Sequence, residues 1–209
     1  MAIGLVLFDL DDVLVEYSHE VRCRVLAERV GSDAPAIHRA LFESGLETEA
    51  DLGRINADAQ ARALAAALGM AVDLEDCVSA RAASMRPDLR LLGTVSALQQ
   101  RCALAILTNN GFLVRDHFAT LCPPFAPFFA GRVHCSAMYG IGKPDPDIFR
   151  RCAAALGVTP QRALFIDDKP ENAAGAERAG MIGHHYREPD ALRAHLSRLN
   201  LLEPVADAS

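Results

Sequence analysis

Four short polar stretches hold the side chains that could do chemistry, and three of them close an apolar run. Asp9, Asp11 and Asp12 follow IGLVLF; Thr108, Asn109, Asn110 and Gly111 follow ALAIL; Asp167 and Asp168 follow ALFI. The fourth, Gly142-Lys143-Pro144, stands just ahead of a helix signal. Gathered in one crevice, these carboxylates would repel one another unless a cation neutralised them. A ligand set made only of oxygen, without His or Cys, suits a hard ion such as Mg²⁺. A lysine, a threonine hydroxyl and loop N–H groups beside that ion would cradle a dianion, and phosphate is the commonest one. Phosphoryl transfer is therefore the leading chemistry. The chain has no G-x-x-x-x-G-K-[ST] loop, which argues against a P-loop nucleotide hydrolase. The nucleophile left to consider is a carboxylate, able to form an aspartyl-phosphate.

Such residues need a frame that brings them together. Residues 3–10, 103–107, 163–166 and 181–186 are short apolar runs of strand length, as in a parallel strand covered on both faces. Helical patterns lie between the last three. Residues 146–156 have Asp145 as N-cap, Pro146 in the first turn and Gly157 beyond the end; residues 171–179 are closed by Gly180. Strand alternating with helix predicts an α/β fold, a doubly wound, Rossmann-like parallel sheet with right-handed crossovers. Ligands of such a sheet bind outside the carboxyl ends of its strands, where the polar stretches sit. Residues 16–88 break the alternation. Helices are expected from 18 or 19 to 30, over 35–42, over 56–68 and over 73–85, with no strand among them. This is an all-helical cap subdomain inserted in a core made of residues 1–15 and 89–209.

Composition narrows the function classes. The 209 residues are 51% hydrophobic with a net charge of −6, so disorder is not expected. An acidic chain without a run of Lys or Arg has no footprint for a nucleic-acid backbone. Asp9, Asp11 and Asp12 interrupt the N-terminal apolar run, which is read as neither signal peptide nor membrane span. Six cysteines occur singly without a CxxC pair, as expected of reduced core residues in a cytoplasmic protein. Residues 122–129, CPPFAPFF, are read as a loop pinned by buried rings, and residues 200–209 as a frayed tail. No repeat recurs.

The stretches FDLDDVL, LTN, GKPDPDIF and LFIDDKPENAAGAERAGM resemble, in order, the four motifs of the haloacid dehalogenase superfamily of aspartyl-phosphate hydrolases. Within it the chain is most similar to sugar-phosphate phosphatases of the glucose-1-phosphate phosphatase type, whose helical cap follows the first strand. The resemblance implies Asp9 as nucleophile and metal ligand. Asp11 would be the acid that protonates the leaving oxygen and then the base that activates water, and its backbone carbonyl would bind the metal. It implies Thr108, with Asn109 beside it, as phosphate-binding, and Lys143 as the cation shared by Asp9 and the phosphoryl group. Asp168 would complete the Mg²⁺ site, Asp167 would add an outer contact or anchor Lys143, and Asn172 would act through water. Asp12 departs from the family pattern, which has Gly or Asn there, and is expected to point away from the phosphate.

The implied activity is a Mg²⁺-dependent phosphomonoesterase for a small phosphorylated metabolite, with no nucleic-acid or membrane partner, as a monomer or homodimer. Only two of the 21 basic side chains are lysine, Lys143 and Lys169, so the cap has none. This disfavours relatives that need a cap lysine, phosphonoacetaldehyde hydrolases and, less strongly, phosphomutases. Asp11 disfavours a 2-haloacid dehalogenase, which usually lacks it, and the intact residue set disfavours a silent binding module. Asn110 and Gly111 read as turn residues, His117, His184 and His185 as surface or edge histidines, and Arg54 and Glu16 as solvated. His19 lies near the cap entrance.

Overall fold

The computed structural model describes residues 2–203. In chain order the elements begin with β1 (Leu5–Phe8) and β2 (Val15–Tyr17). The helices α1 (His19–Val30), α2 (Ala34–His38), α3 (Leu46–Asp51), α4 (Ala57–Leu68) and α5 (Leu74–Ala83) come next. After β3 (Met85–Pro87) come α6 (Leu92–Gln99), β4 (Ala103–Thr108), α7 (Phe112–Asp116), α8 (Phe118–Leu121), α9 (Ala126–Phe129) and β5 (Val133–Cys135). The chain then runs through α10 (Pro146–Ala155), β6 (Ala163–Asp167), α11 (Pro170–Arg178), β7 (Ile182–His185) and α12 (Pro189–Arg198).

The central sheet is a doubly wound α/β arrangement of five strands in the order β5-β4-β1-β6-β7, every neighbouring pair parallel. Its middle strand, β1, is buried along its whole length. Strand alternation sorts the side chains onto two faces. Val6, Phe8, Leu104, Ile106, Leu164 and Ile166 join a core shared with the helices of residues 19–83, whereas Leu5, Leu7, Ala105, Leu107 and Phe165 pack on α10 and α11. Each large apolar side chain withdrawn from water in this way contributes roughly 1.5–3 kcal/mol. Burial on both faces explains why these strands read as continuous apolar runs.

The helices start where their capping residues stand. Ser18, Asn56 and Asp73 each accept an N–H three residues on, and Asp73 and Asp76 form a reciprocal capping box. Several expectations need correction. The pattern over residues 35–42 divides into α2 and a wide π-type turn, Arg39–Glu43. The pattern over residues 73–85 stops at Ala83, because Met85 enters β3, which pairs antiparallel with β2. The two strands carry the chain into and out of the helical insertion. Helix α3 and edge strand β5 were not expected: one is six residues of mostly polar sequence, the other three residues long. In the 122–129 stretch Phe125 and Phe129 are buried as expected, but Ala126–Phe129 forms one helical turn with Pro127 inside its start. The tail is ordered through Glu203, with Leu201 and Leu202 buried; residues 204–209 lie outside the described residues.

Candidate active site

Parallel pairing in register puts the ends of β1, β4 and β6 side by side, so Asp9, Thr108 and Asp167 emerge on one edge. Lys143 comes from the loop before α10. Two contacts hold that loop in place. The Asn109 side chain clamps the Lys143 backbone, donating to its carbonyl at 2.9 Å and accepting its N–H at 2.8 Å. Helix α11 approaches the other side at Gly175, where a Cβ would fall 2.5 Å from the Pro144 carbonyl oxygen.

The Lys143 ammonium is buried between two carboxylates, 2.8 Å from Asp9 Oδ1 and 2.6 Å from Asp167 Oδ2. Asp167 is saturated. Besides Lys143, it accepts from the Lys169 N–H and twice from Asn172 Nδ2. The sequence left Asp167 two roles, and in this geometry it anchors Lys143, with Asn172 buried against it. Asp9 Oδ1 also accepts the Leu10 N–H at 2.7 Å. Burial pushes the Asp9 carboxyl up to about 7; Lys143 pulls it back, and Asp167 adds to the rise. Burial and then Asp167 raise Asp168 as well. Burial works against the Lys143 charge, but Asp9 and Asp167 outweigh it and raise its pKa.

This cluster suits a cation. Carboxylate oxygens of Asp9, Asp167 and Asp168 lie within 4.8 Å of one another, and those of Asp167 are already engaged by Lys143, Asn172 and the Lys169 N–H. Asp168 Oδ1 is buried without a hydrogen-bond partner, a costly state for a carboxylate oxygen unless a ligand completes it. The donor set is oxygen alone, which matches Mg²⁺.

Asp11 lies one turn of loop further on. Its carboxylate accepts from Arg81 Nη2 at 2.7 Å on both oxygens and from Asn110 Nδ2 at 3.0 Å. Asn110 Nδ2 also donates to Thr108 Oγ1 at 2.7 Å, which leaves the buried hydroxyl's own hydrogen free to donate. Asn110 is thus part of the site and not merely a turn former. Asp12 has φ 62°, the left-handed region that Gly or Asn adopts most easily. Its side chain accepts the Tyr17 N–H, and Asp12 also lines the cavity beside Asp11.

Beside Asp11 a cavity of about 310 Å³ opens beneath the helical insertion, lined by Tyr17, His19, Phe42, Glu47, Asp51 and Asn110 among others. The buried Arg22 and half-buried Glu47 form an ion pair at 2.5 and 3.1 Å, and Gln60 and Tyr17 complete the polar cluster. Burial, then the Glu47 charge, pushes Asp51 up to about 8. His19 stacks on Phe42, and burial lowers its pKa. Arg54 and Glu16 instead pair at the surface with Glu49 and Arg86. Sequence reading missed Arg81, Arg22, Glu47, Gln60 and Asp51. A larger hollow of about 430 Å³ beside β5 holds none of the motif residues. No helix among the described residues is long and apolar enough to cross a membrane.

Comparison with known proteins shows the family and the fold. A family model described as haloacid dehalogenase-like hydrolase matches residues 3–180. A glyceraldehyde 3-phosphate phosphatase from Methanopyrus kandleri is 28% identical over 86% of this chain and 82% of its own. A chloroplast flavin mononucleotide hydrolase from Arabidopsis thaliana is 39% identical, but over only 32% of this chain and 27% of its own length. A haloacid dehalogenase family enzyme from Bacteroides thetaiotaomicron, solved with magnesium and inorganic phosphate, superposes with a TM-score of 0.75 at 18% identity, over 89% of this chain and 95% of that one.

Proposed function

The chain belongs to the haloacid dehalogenase-like hydrolase family, and we propose that it is a Mg²⁺-dependent phosphomonoesterase that hydrolyses a small phosphorylated metabolite through an aspartyl-phosphate on Asp9. The observation that carries this reading is the pairing of a buried, lysine-bridged Asp9 with the unpartnered Asp168 Oδ1 at the same strand edge. Phosphatase names among the relatives support it.

In this mechanism Asp9 attacks phosphorus and the leaving oxygen departs with a proton from Asp11. Asp11 then takes a proton from the water that cleaves the acyl phosphate. Such acid–base assistance is worth about 10²–10⁴ in rate. Lys143 spreads positive charge over Asp9 and the phosphoryl oxygens, and the Thr108 hydroxyl and loop N–H groups donate to those oxygens. Asn109 acts through the backbone of Lys143, and Asp167, held by Asn172, acts through its ammonium. Asp9, Asp168 and the Asp11 carbonyl would hold Mg²⁺, which when bound neutralises charge on the nucleophile and the phosphoryl group.

Residues 16–88 act as the cap that excludes bulk water and selects the leaving group. The cavity beneath it is small, and its wall holds Glu47, Thr48, Asp51 and Asn110. That wall favours a hydroxyl-rich leaving group, so a sugar phosphate is the proposed substrate class. Six unpaired cysteines fit a reducing compartment, the cytoplasm.

The test is hydrolysis of p-nitrophenyl phosphate with Mg²⁺ and with chelator, followed by a screen of phosphorylated metabolites. Metal-dependent turnover that disappears in Asp9→Asn is expected. Turnover indifferent to metal, or undiminished in Asp9→Asn, refutes the mechanism, and a preference for phosphopeptides refutes the cap argument.

A further inference from the structure

Arg81 has no role in the mechanism above, yet it is the largest of the fully buried side chains, 1% exposed. It rises from the last turn of α5, just ahead of hinge strand β3. Its guanidinium lies over the Tyr17 ring of hinge strand β2, 3.7 Å from the centroid. From there a single nitrogen, Nη2, reaches across to the core loop and donates to both oxygens of Asp11 and to Asn110 Oδ1. The contact joins residues 70 positions apart.

Three features of this contact point the same way. First, Asp11 and Asn110 both line the cavity whereas Arg81 does not, so the guanidinium holds the carboxylate from outside the space a leaving group would fill. Second, a carboxylate on a loop would otherwise sample several rotamers, and proton transfer requires it within hydrogen-bond reach of the leaving oxygen. Third, Nε and Nη1 of Arg81 are buried without partners. An apolar side chain would fill this place without stranded donors, so packing alone does not explain a guanidinium here.

We propose that Arg81 is a positioning residue that aims the Asp11 carboxylate at the leaving group and does so only while the helical cap is seated on the core. The inference rests on the reading of Asp11 as the acid–base group. Other contacts across the same junction mark the seated state: Ser136 Oγ donates to the Asp51 carbonyl at 2.7 Å, and Gly53 packs on the Ala137 carbonyl so closely that a Cβ would not fit. Displacing the cap would carry Arg81 away from Asp11, so proton transfer would be coupled to closure by one side chain.

The test compares two aryl esters of nearly the same shape, p-nitrophenyl phosphate and phenyl phosphate, with Mg²⁺ present. Nitrophenolate leaves without an acid; phenolate, more basic, needs one. Because kcat/KM reports events up to the first irreversible step, Arg81→Met is expected to lower kcat/KM for phenyl phosphate about 10²-fold, the scale of a general acid contribution, and for p-nitrophenyl phosphate by far less. In an Asp11→Asn background Arg81→Met should cost little further. Arg81→Lys, which keeps one donor and stands in should the Met variant fail to fold, is expected to recover part of the phenyl phosphate rate. Equal losses for both esters, or full additivity with Asp11→Asn, would reduce Arg81 to cap packing and overturn the proposal. If the wild-type protein hydrolyses neither ester, the phosphatase reading itself fails, an outcome separable from the first two.

Discussion

Carboxylates crowd two neighbouring regions, the strand-end crevice and the inner wall of the cap, and the cations that answer them differ. In the crevice one ammonium, Lys143, bridges Asp9 and Asp167, and Asp168 Oδ1 is left without a partner. In the cap wall guanidinium groups do the pairing: Arg22 grips Glu47 through two nitrogens, and Arg81 reaches out of the cap to hold Asp11 of the core. A point-like ammonium can be shared between carboxylates, whereas each guanidinium here orients the one carboxylate it touches, Arg22 by its two-nitrogen fork and Arg81 by Nη2 on both oxygens. In the proposed mechanism the crevice receives the charge that arrives with substrate, and the cap wall supplies fixed geometry. With two lysines in the chain and neither in the cap, this division is written into the composition.

Substitutions on either side should separate the two regions. The largest effect is expected for Asp9→Asn, which should lower kcat on p-nitrophenyl phosphate by on the order of 10⁴–10⁶ while leaving the circular dichroism spectrum unchanged. Lys143→Met should abolish measurable turnover and also destabilise the metal-free protein by about 3–5 kcal/mol in urea unfolding at neutral pH, because Asp9 and Asp167 lose their common counter-charge. Acidification, which protonates the stranded Asp9, should narrow that loss. Arg22→Met, in the cap wall, should cost less stability, about 1–3 kcal/mol, since it unpairs a half-buried Glu47 that borders the cavity, and it should move KM more than kcat.

Smaller effects sharpen the contrast. Asp51 sits against Glu47 with its carboxyl pushed up to about 8 from an ordinary 3.8. Between those values the folded state keeps a proton that the unfolded chain has released, so this group makes stability fall as pH rises through that window. Asp51→Asn should flatten the decline and raise stability at pH 8 by on the order of 1–2 kcal/mol, read from unfolding midpoints across a pH series. Arg54→Ala, which removes an exposed pair with Glu49, should change stability by no more than about 0.5 kcal/mol and leave kinetics alone.

The crevice was legible in the sequence because each of its groups follows an apolar strand or precedes a capped helix, and strand ends converge by topology. Asp9, Thr108 and Asp167 need only the parallel register of β1, β4 and β6 to meet. The cap wall was not legible in that way. Arg81 and Asp11 meet only once the three-residue strands β2 and β3 set the hinge, and VEY and MRP are too short to show a period. Glu47 and Asp51 ride on α3, whose six residues follow a left-handed Gly45 and carry no apolar stripe. Asn110 reads as a turn former because an Asn-Gly pair usually is one. In the fold it is buried, bonded to Asp11 and Thr108 and met by Arg81 from the insertion, partners that its sequence neighbours do not announce. Lysine against arginine was the one signal in the composition that separated the two regions, and it became meaningful only when their partners were known.

In the proposed mechanism Asp9 carries the phosphoryl group. The direct measurement is an acid quench of the enzyme during turnover with Mg²⁺, reduction with borohydride, and mass mapping of the N-terminal peptide. Covalent catalysis predicts that the side chain at position 9 is converted to the alcohol, with Asp11, Asp167 and Asp168 untouched. An enzyme caught in turnover with Asp9 unmodified, or with the label on another carboxylate, would contradict it.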